Sequence, residues 1–285
     1  MPLNKDLDLR FLSRHQLHKR FASNTGRIKI QTLMKAALIQ LHGRIVSGKE
    51  PPIRGNVRTI WYRYIKPILS HLDEEDQITN PYNIMVRVFA SLAQSGKIRY
   101  MDFGLADQNW ENRRIGKEHP NVIVFSEKAG WVYFLRQVHK QHSVSTIALG
   151  GMPSVLSSEY TAAHTLKALN EMGLVGEPVH LIGVVDWDPS GELVGQTFQR
   201  QLSRCGLGDS TLDLVVHPRH FTDEERKFFK FPLPKTTRRS NDSWVERTGG
   251  VDGGLFGLEA ESMRLDLVEY AVNRAVRRRT DTETQ

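Results

Sequence analysis

The sequence predicts an α/β protein in which a helical N-terminal domain precedes a parallel sheet, and three observations carry that prediction. From Arg27 to about Leu105 the apolar residues recur at helical spacing. After Pro120 the rhythm changes to short Val- and Ile-rich runs that alternate with helical segments, the pattern of βαβ units covered on both faces. Polar residues then gather where the apolar runs end, and open parallel sheets place their chemistry there.

Composition narrows the classes. At 285 residues the chain can bury one large core or two modest ones, with 39% hydrophobic and 25% charged residues. No apolar stretch approaches the roughly 20 residues of a spanning helix, and the charged start "MPLNKDLDLRFLSRHQLHKR" lacks a signal-peptide core. A cytoplasmic protein without membrane contact is expected. Cys205 is the single cysteine, which excludes an internal disulfide and a thiolate zinc site. A net charge of +7 and a pI near 9.5 favour a polyanionic partner, nucleic acid above all.

In chain order, an arm over 1–26 precedes three helices. These are "RIKIQTLMKAALIQLHGRIV", "VRTIWYRYIKPILSHL" and "NPYNIMVRVFASLAQSG", the last opened by Asn80 and Pro81 and closed by Gly96. "KIRYMDFGL" and the polar "ADQNWENRRIGKEHP" follow as a short hairpin. Three helices and a hairpin is the plan of a winged helix, which reads duplex DNA; a plain helical bundle fits the pattern equally. That domain is expected over 27–115. Strands are expected in "NVIVFSEK", "VSTIALGG", "VHLIGVVDWD" and "LDLVVHP". Helices are expected in "GWVYFLRQVHKQ", "SSEYTAAHTLKALNEM" and "ELVGQTFQRQLSRC". A glycine-rich turn, "GGVDGGLFG", and a closing helix complete a domain over 116–278, with a tail over 279–285.

The segment "VVDWDPSG" ends a buried strand on Asp186 and Asp188. If both remain extended their carboxylates face one side, and unpaired anions so close are costly without a cation. A hard divalent ion such as Mg2+ would offset them, with Glu127 at the end of an earlier strand as third ligand. Pro189 stops the strand and Gly191 permits the turn into a helix. Two other readings stand beside this one: Asp188 as a simple helix cap, or a phosphatase that starts on strand-Asp-x-Asp. The later lysine and aspartates of such a phosphatase are not found.

"VFSEKAG", "GGMP" and "VVDWDPSG" together resemble the Toprim domain of the topoisomerase VI A subunit and its meiotic break-forming relatives, most closely the compact Mini-A members. The resemblance runs from about Lys29 to Ala271. It implies a winged helix followed by Toprim, with Glu127, Asp186 and Asp188 holding Mg2+ near a scissile phosphate. "LGGMP" departs from the family pattern, with Gly150 in place of lysine and Met152 in place of an aromatic residue.

The family's tyrosine motif resembles "RTIWY", Arg58 to Tyr62. Val57, Ile60, Trp61, Tyr64, Ile65 and Ile68 form one buried helical stripe, so Tyr64 reads as a core aromatic. Tyr62 lies off the stripe, with Arg58 four residues before it and Lys66 four after. Pro67 is expected to kink or end this helix. The resemblance implies a type IIB topoisomerase A-like transesterase that cleaves duplex DNA through Tyr62, with Arg58 clamping phosphate and Lys128 assisting the leaving oxygen. It implies a homodimer in which one protomer's tyrosine serves the other's metal. No ATPase signature is present, so an ATP-driven gate either comes from a separate B-type subunit or is absent. A one-way DNA-breaking transesterase and a DNA-binding or plasmid-sensing module are the alternatives.

Overall fold

The computed structural model describes residues 8–72, 78–107 and 109–281. It is a mixed α/β structure of two compact units that meet in sequence at Asp107 and Gln108, earlier than the boundary expected at 115. No helix among the described residues is long and apolar enough to cross a membrane.

The first unit is helical. Ser13 caps α1 (Arg14–Phe21) through a capping box with Gln16. α2 (Ile30–Val46) buries Leu33, Met34, Leu38 and Leu41. The next segment is α-helical over α3 (Val57–Ile60), passes through a π turn at Trp61–Ile65, and returns to the α form in α4 (Lys66–Leu69). It therefore runs through Pro67 instead of stopping there. α5 (Pro81–Gln94) buries Met85, Phe89 and Leu92 against α2.

The hairpin expected after α5 does not form: among the described residues this unit has no strand, only an isolated bridge between Ala22 and Ile28. Met101–Phe103 is instead a 3-10 turn closed by Gly104 in the left-handed region. Phe103 is fully buried, packed edge-on to Phe89 with ring centroids 5.0 Å apart. Its carbonyl accepts from the Ile53 N–H at 2.7 Å, so the backbone is committed to the loop before α3 and not to a hairpin.

The second unit is built on a five-stranded sheet in the order β1-β3-β2-β4-β5. β1 (Arg113–Arg114) runs antiparallel to β3, whereas β2 (His119–Ser126), β3 (Val144–Ala148), β4 (Val179–Val184) and β5 (Ser210–Leu214) are parallel. β1 lies within the polar stretch expected to belong to the hairpin, but it pairs with β3 instead. Residues of β2 alternate between two cores: Val122 and Val124 face one, Ile123 and Phe125 the other. Burial on both faces explains the unbroken apolar runs.

α6 (Val132–His142) follows β2 and packs on the first of these cores. α7 (Val155–Glu171) and α8 (Pro189–Leu202), which follow β3 and β4, pack on the second. Beyond β5 come α9 (Asp223–Phe229), β6 (Phe231–Pro232), α10 (Arg238–Thr248), β7 (Phe256–Gly257) and α11 (Leu265–Thr280), with β6 and β7 paired antiparallel. α11 returns to cover the face shared with α6. The connections leaving β2 and β4 thus depart toward opposite faces. Between those neighbouring strands the carboxyl edge opens as a topological switch point, where open α/β sheets bind ligands.

An ionic network ties the start of the chain to the first unit. Arg10 donates to Asp8 at 2.6 Å and to Glu50 at 3.2 Å, and the Tyr64 hydroxyl donates to Glu50 at 2.7 Å. Burial pushes the Asp8 and Glu50 carboxyls up, but bonds from Arg10, Tyr64 and Arg44 outweigh it and both lie below their ordinary values. Depressed carboxylates contribute stability above their unfolded pKa values, about 4, and lose it as pH falls through the folded ones. The melting temperature of the first unit should therefore change little from pH 7 to 5 and fall steeply below about pH 4. Glu50→Gln should lower the neutral-pH melting temperature and shrink that acid-side drop; an unchanged acid-side drop would contradict the network's role.

Candidate functional site

The carboxyl ends of β2 and β4 bring the expected acidic residues to one rim. Glu127 directly follows β2, and its backbone is held on both sides. The N–H donates to the Val184 carbonyl at 3.3 Å, and its own carbonyl accepts from Gly151 at 2.7 Å. Gly151 has φ of 115°, a backbone that side chains disfavour, so the glycine pair of "LGGMP" shapes this loop.

Asp186 and Asp188 are fixed by what surrounds Trp187. The Trp187 backbone exchanges hydrogen bonds with Leu258, at 2.8 and 3.1 Å. Its indole N–H donates to the Gly250 carbonyl at 3.0 Å, and the ring packs on His217 and Trp244 with centroids 4.5 and 5.5 Å away. The Ala260 N–H donates to Asp186 Oδ1 at 2.8 Å. Asp188 caps α8, its Oδ1 accepting from the Gly191 N–H at 2.7 Å. Asp188 thus caps the helix, as the alternative reading expects, but the solvated Asp186 that goes with that reading is not found: its side chain is 15% exposed and bonded to Ala260. At Gly191 a Cβ would lie 2.2 Å from the Asp186 carbonyl oxygen, so the turn into α8 admits only glycine.

Lys128 stands among these acids. Its Nζ lies 3.3 Å from Asp186 Oδ2 and 3.9 Å from Glu259, and it is hydrogen bonded to Glu261. Burial lowers the Lys128 pKa, but the bonds and charges of Glu261 and Asp186 prevail and hold the ammonium charged. Glu261 was not anticipated from the sequence. It sits 133 residues from Lys128, and no local pattern links the two.

The cluster is electrostatically frustrated. Burial, then the charges of Asp186 and Asp188, push the Glu127 carboxyl above its ordinary value. Burial also pushes Asp188 up, with Asp186 adding to it, against the Gly191 hydrogen bond. Glu127 Oε2 is buried with no hydrogen-bond partner, a costly state for a carboxylate oxygen. Among the described residues no three acidic, histidine or cysteine side chains converge closely enough to grip an ion as they stand. The donor set fits a hard divalent cation all the same: it is all oxygen, negatively charged, and includes one buried oxygen lacking a partner.

The tyrosine pair lies in the first unit, and its two members differ sharply. Tyr64 is 4% exposed and bonded to Glu50; burial and that carboxylate raise its pKa, which makes it a poor nucleophile. Tyr62 is 61% exposed, with the Lys66 Nζ 5.4 Å from its ring centroid. Arg58 is likewise exposed, four residues before it. Charge is divided between the units in the same sense. Residues 1–107 carry 17 Lys and Arg against 9 Asp and Glu; residues 108–285 carry 22 against 23. The whole net positive charge thus belongs to the unit that bears Tyr62. Between residues 9 and 72 the only acid is Glu50, among 13 Lys and Arg.

A scan against protein-family models matches no family in this chain, and no curated protein matches it significantly.

Neutralising one member of the rim cluster should relieve repulsion. Without divalent ions, Glu127→Gln is expected to raise the melting temperature of the second unit by about 2–4 °C. Added Mg2+ should raise that of the wild type and leave the variant unmoved. A lower melting temperature in metal-free Glu127→Gln would contradict the frustrated cluster.

Proposed function

We propose that the protein is a Mg2+-dependent DNA transesterase of the type IIB topoisomerase A kind, with a Toprim-like second unit and a DNA-binding helical first unit. The observation that carries this reading is the acidic cluster at the switch point, whose carboxylates are held together against their own repulsion. Clusters of that composition suit phosphodiester chemistry. The basic first unit supports a nucleic-acid partner, since polyanion binding follows clustered Lys and Arg. The missing hairpin means that the helices, and not a wing, would meet the duplex.

In this reading the Tyr62 oxygen attacks a backbone phosphorus and the bond to the 3′ oxygen breaks. The products are a 5′-phosphotyrosyl link and a 3′-hydroxyl, so the phosphoester count is conserved and resealing reverses the step. Arg58 offers a planar guanidinium to the phosphate oxygens. Glu127, Asp186 and Asp188 would hold the divalent ion, which when bound supplies charge stabilisation at the non-bridging oxygens. Lys128 would protonate or steady the departing 3′ oxygen, which takes up the proton the phenol gives up. Cutting both strands requires a homodimer, with two-fold symmetry matching the duplex. A separate ATPase subunit would couple such cutting to strand passage.

The second reading, a DNA-binding or plasmid-sensing module with little chemistry, is favoured by one observation. Lys128 already serves the cluster as a counter-ion, through Asp186 and Glu261. A trapping assay separates the two. Protein incubated with supercoiled plasmid and Mg2+, then quenched with detergent, should retain covalently attached DNA. Tyr62→Phe should abolish the adduct. Tyr64→Phe should keep it while losing about 1 kcal/mol of stability with the Glu50 hydrogen bond. An adduct that survives in Tyr62→Phe and vanishes in Tyr64→Phe would overturn the assignment. No adduct or nicking with any divalent ion would favour the binding module, and nicking without relaxation a one-way cutter.

A further inference from the structure

Neither carboxylate oxygen of Asp186 is without a partner. Oδ1 accepts from the Ala260 N–H at 2.8 Å, and Oδ2 lies 3.3 Å from the Lys128 ammonium. The same ammonium is hydrogen bonded to Glu261 and stands 3.9 Å from Glu259. Glu259 and Glu261 flank Ala260, so one three-residue segment pins Asp186 and also offers the ammonium a second place. The two places differ in their surroundings. The Asp186 side chain is 15% exposed, those of Glu259 and Glu261 57 and 47%. Charges on the less exposed carboxylate are less screened by water, so a divalent ion gains more there than at Glu261. A monovalent ammonium gives up less by moving to the solvated pair.

We propose that Lys128 is an internal competitor of the divalent ion: its ammonium and Mg2+ contend for Asp186 Oδ2, and Glu261 retains the ammonium when the ion prevails. The inference rests on the reading of Glu127, Asp186 and Asp188 as metal ligands. An ion bonded to Oδ2 at the usual distance would stand no more than about 5.4 Å from the ammonium where it now lies. That is inside the screening length of about 8–10 Å, so the two cations repel. The Lys128 carbonyl accepts from the Ser126 hydroxyl at 2.9 Å, which holds the backbone and leaves the side chain to yield. The exchange explains how one lysine serves the cluster as counter-ion and is still released to a departing oxygen. Because linkage is reciprocal, an ammonium that the ion displaces must itself weaken the ion's binding.

Two measurements test this, and neither reads DNA cleavage. In titration calorimetry on chelator-treated protein, Lys128→Met should bind Mg2+ at least about fivefold more tightly than the wild type. A crystal structure of the wild type grown with Mg2+ should place Nζ beyond about 4 Å from Asp186 Oδ2, outside ion-pair range, and still bonded to Glu261. A smaller gain in a Lys128→Met protein that melts cooperatively, or weaker binding, overturns the proposal while leaving the metal site standing. So does an ion on Asp186 with Nζ still in ion-pair range of Oδ2, or with Nζ no longer on Glu261. If Lys128→Met does not fold, the wild-type structure decides. If neither protein binds Mg2+, the reading of the three carboxylates as ligands fails, and the competitor goes with it.

Discussion

Like charges crowded at the end of a parallel sheet repel, and much of the second unit is arranged to hold them there. Asp186 is pinned by the Ala260 N–H and Asp188 by the Gly191 N–H, while Trp187 between them is clamped to Leu258 and Gly250. These anchors come from residues 250–260 as well as from the first turn of α8. The glycine-rich turn and the segment around Leu258 are therefore part of the site's frame and not a loose connection. Lys128 offsets only part of the charge, because Glu127 keeps a buried oxygen without a partner. A fold seldom retains such strain at a ligand-binding edge without use for it.

The first unit solves the opposite problem. It carries thirteen cations and one carboxylate over residues 9–72, and that carboxylate, Glu50, is spent inside the core on Arg10, Arg44 and Tyr64. The outward surface is left positive. The same interaction separates the two tyrosines: Glu50 holds Tyr64 protonated and buried, and Tyr62 remains outside, flanked by Arg58 and Lys66.

Much of this was legible in the residues. Helices α2 to α8 and α11 and strands β2 to β5 follow from apolar periodicity, because burial on one face or on two leaves different spacings; α1, in the expected arm, and α9 and α10, in and around a basic stretch that reads as a loop, do not. Glu127, Asp186 and Asp188 were identifiable because strand ends lie next to one another in a parallel sheet. β1 was not, since two arginines at a sheet edge have no period to betray them. The expected hairpin gives way because Phe103 is buried against Phe89 in the helical core and its carbonyl is taken by the Ile53 N–H. Pro67 was visible as a helix breaker, but its accommodation by a π turn depends on which neighbours are buried. Glu261 escaped because its partnership with Lys128 is purely tertiary.

The central claim is that a phosphoryl group passes to Tyr62. Its most direct test is mass spectrometry of peptides from protein quenched on duplex DNA with Mg2+ and digested with nuclease and protease. The peptide containing Tyr62 should carry a nucleotide joined through its 5′ phosphate to the phenolic oxygen. A nucleotide found on Tyr64 or on any other residue, or on none, would contradict the account.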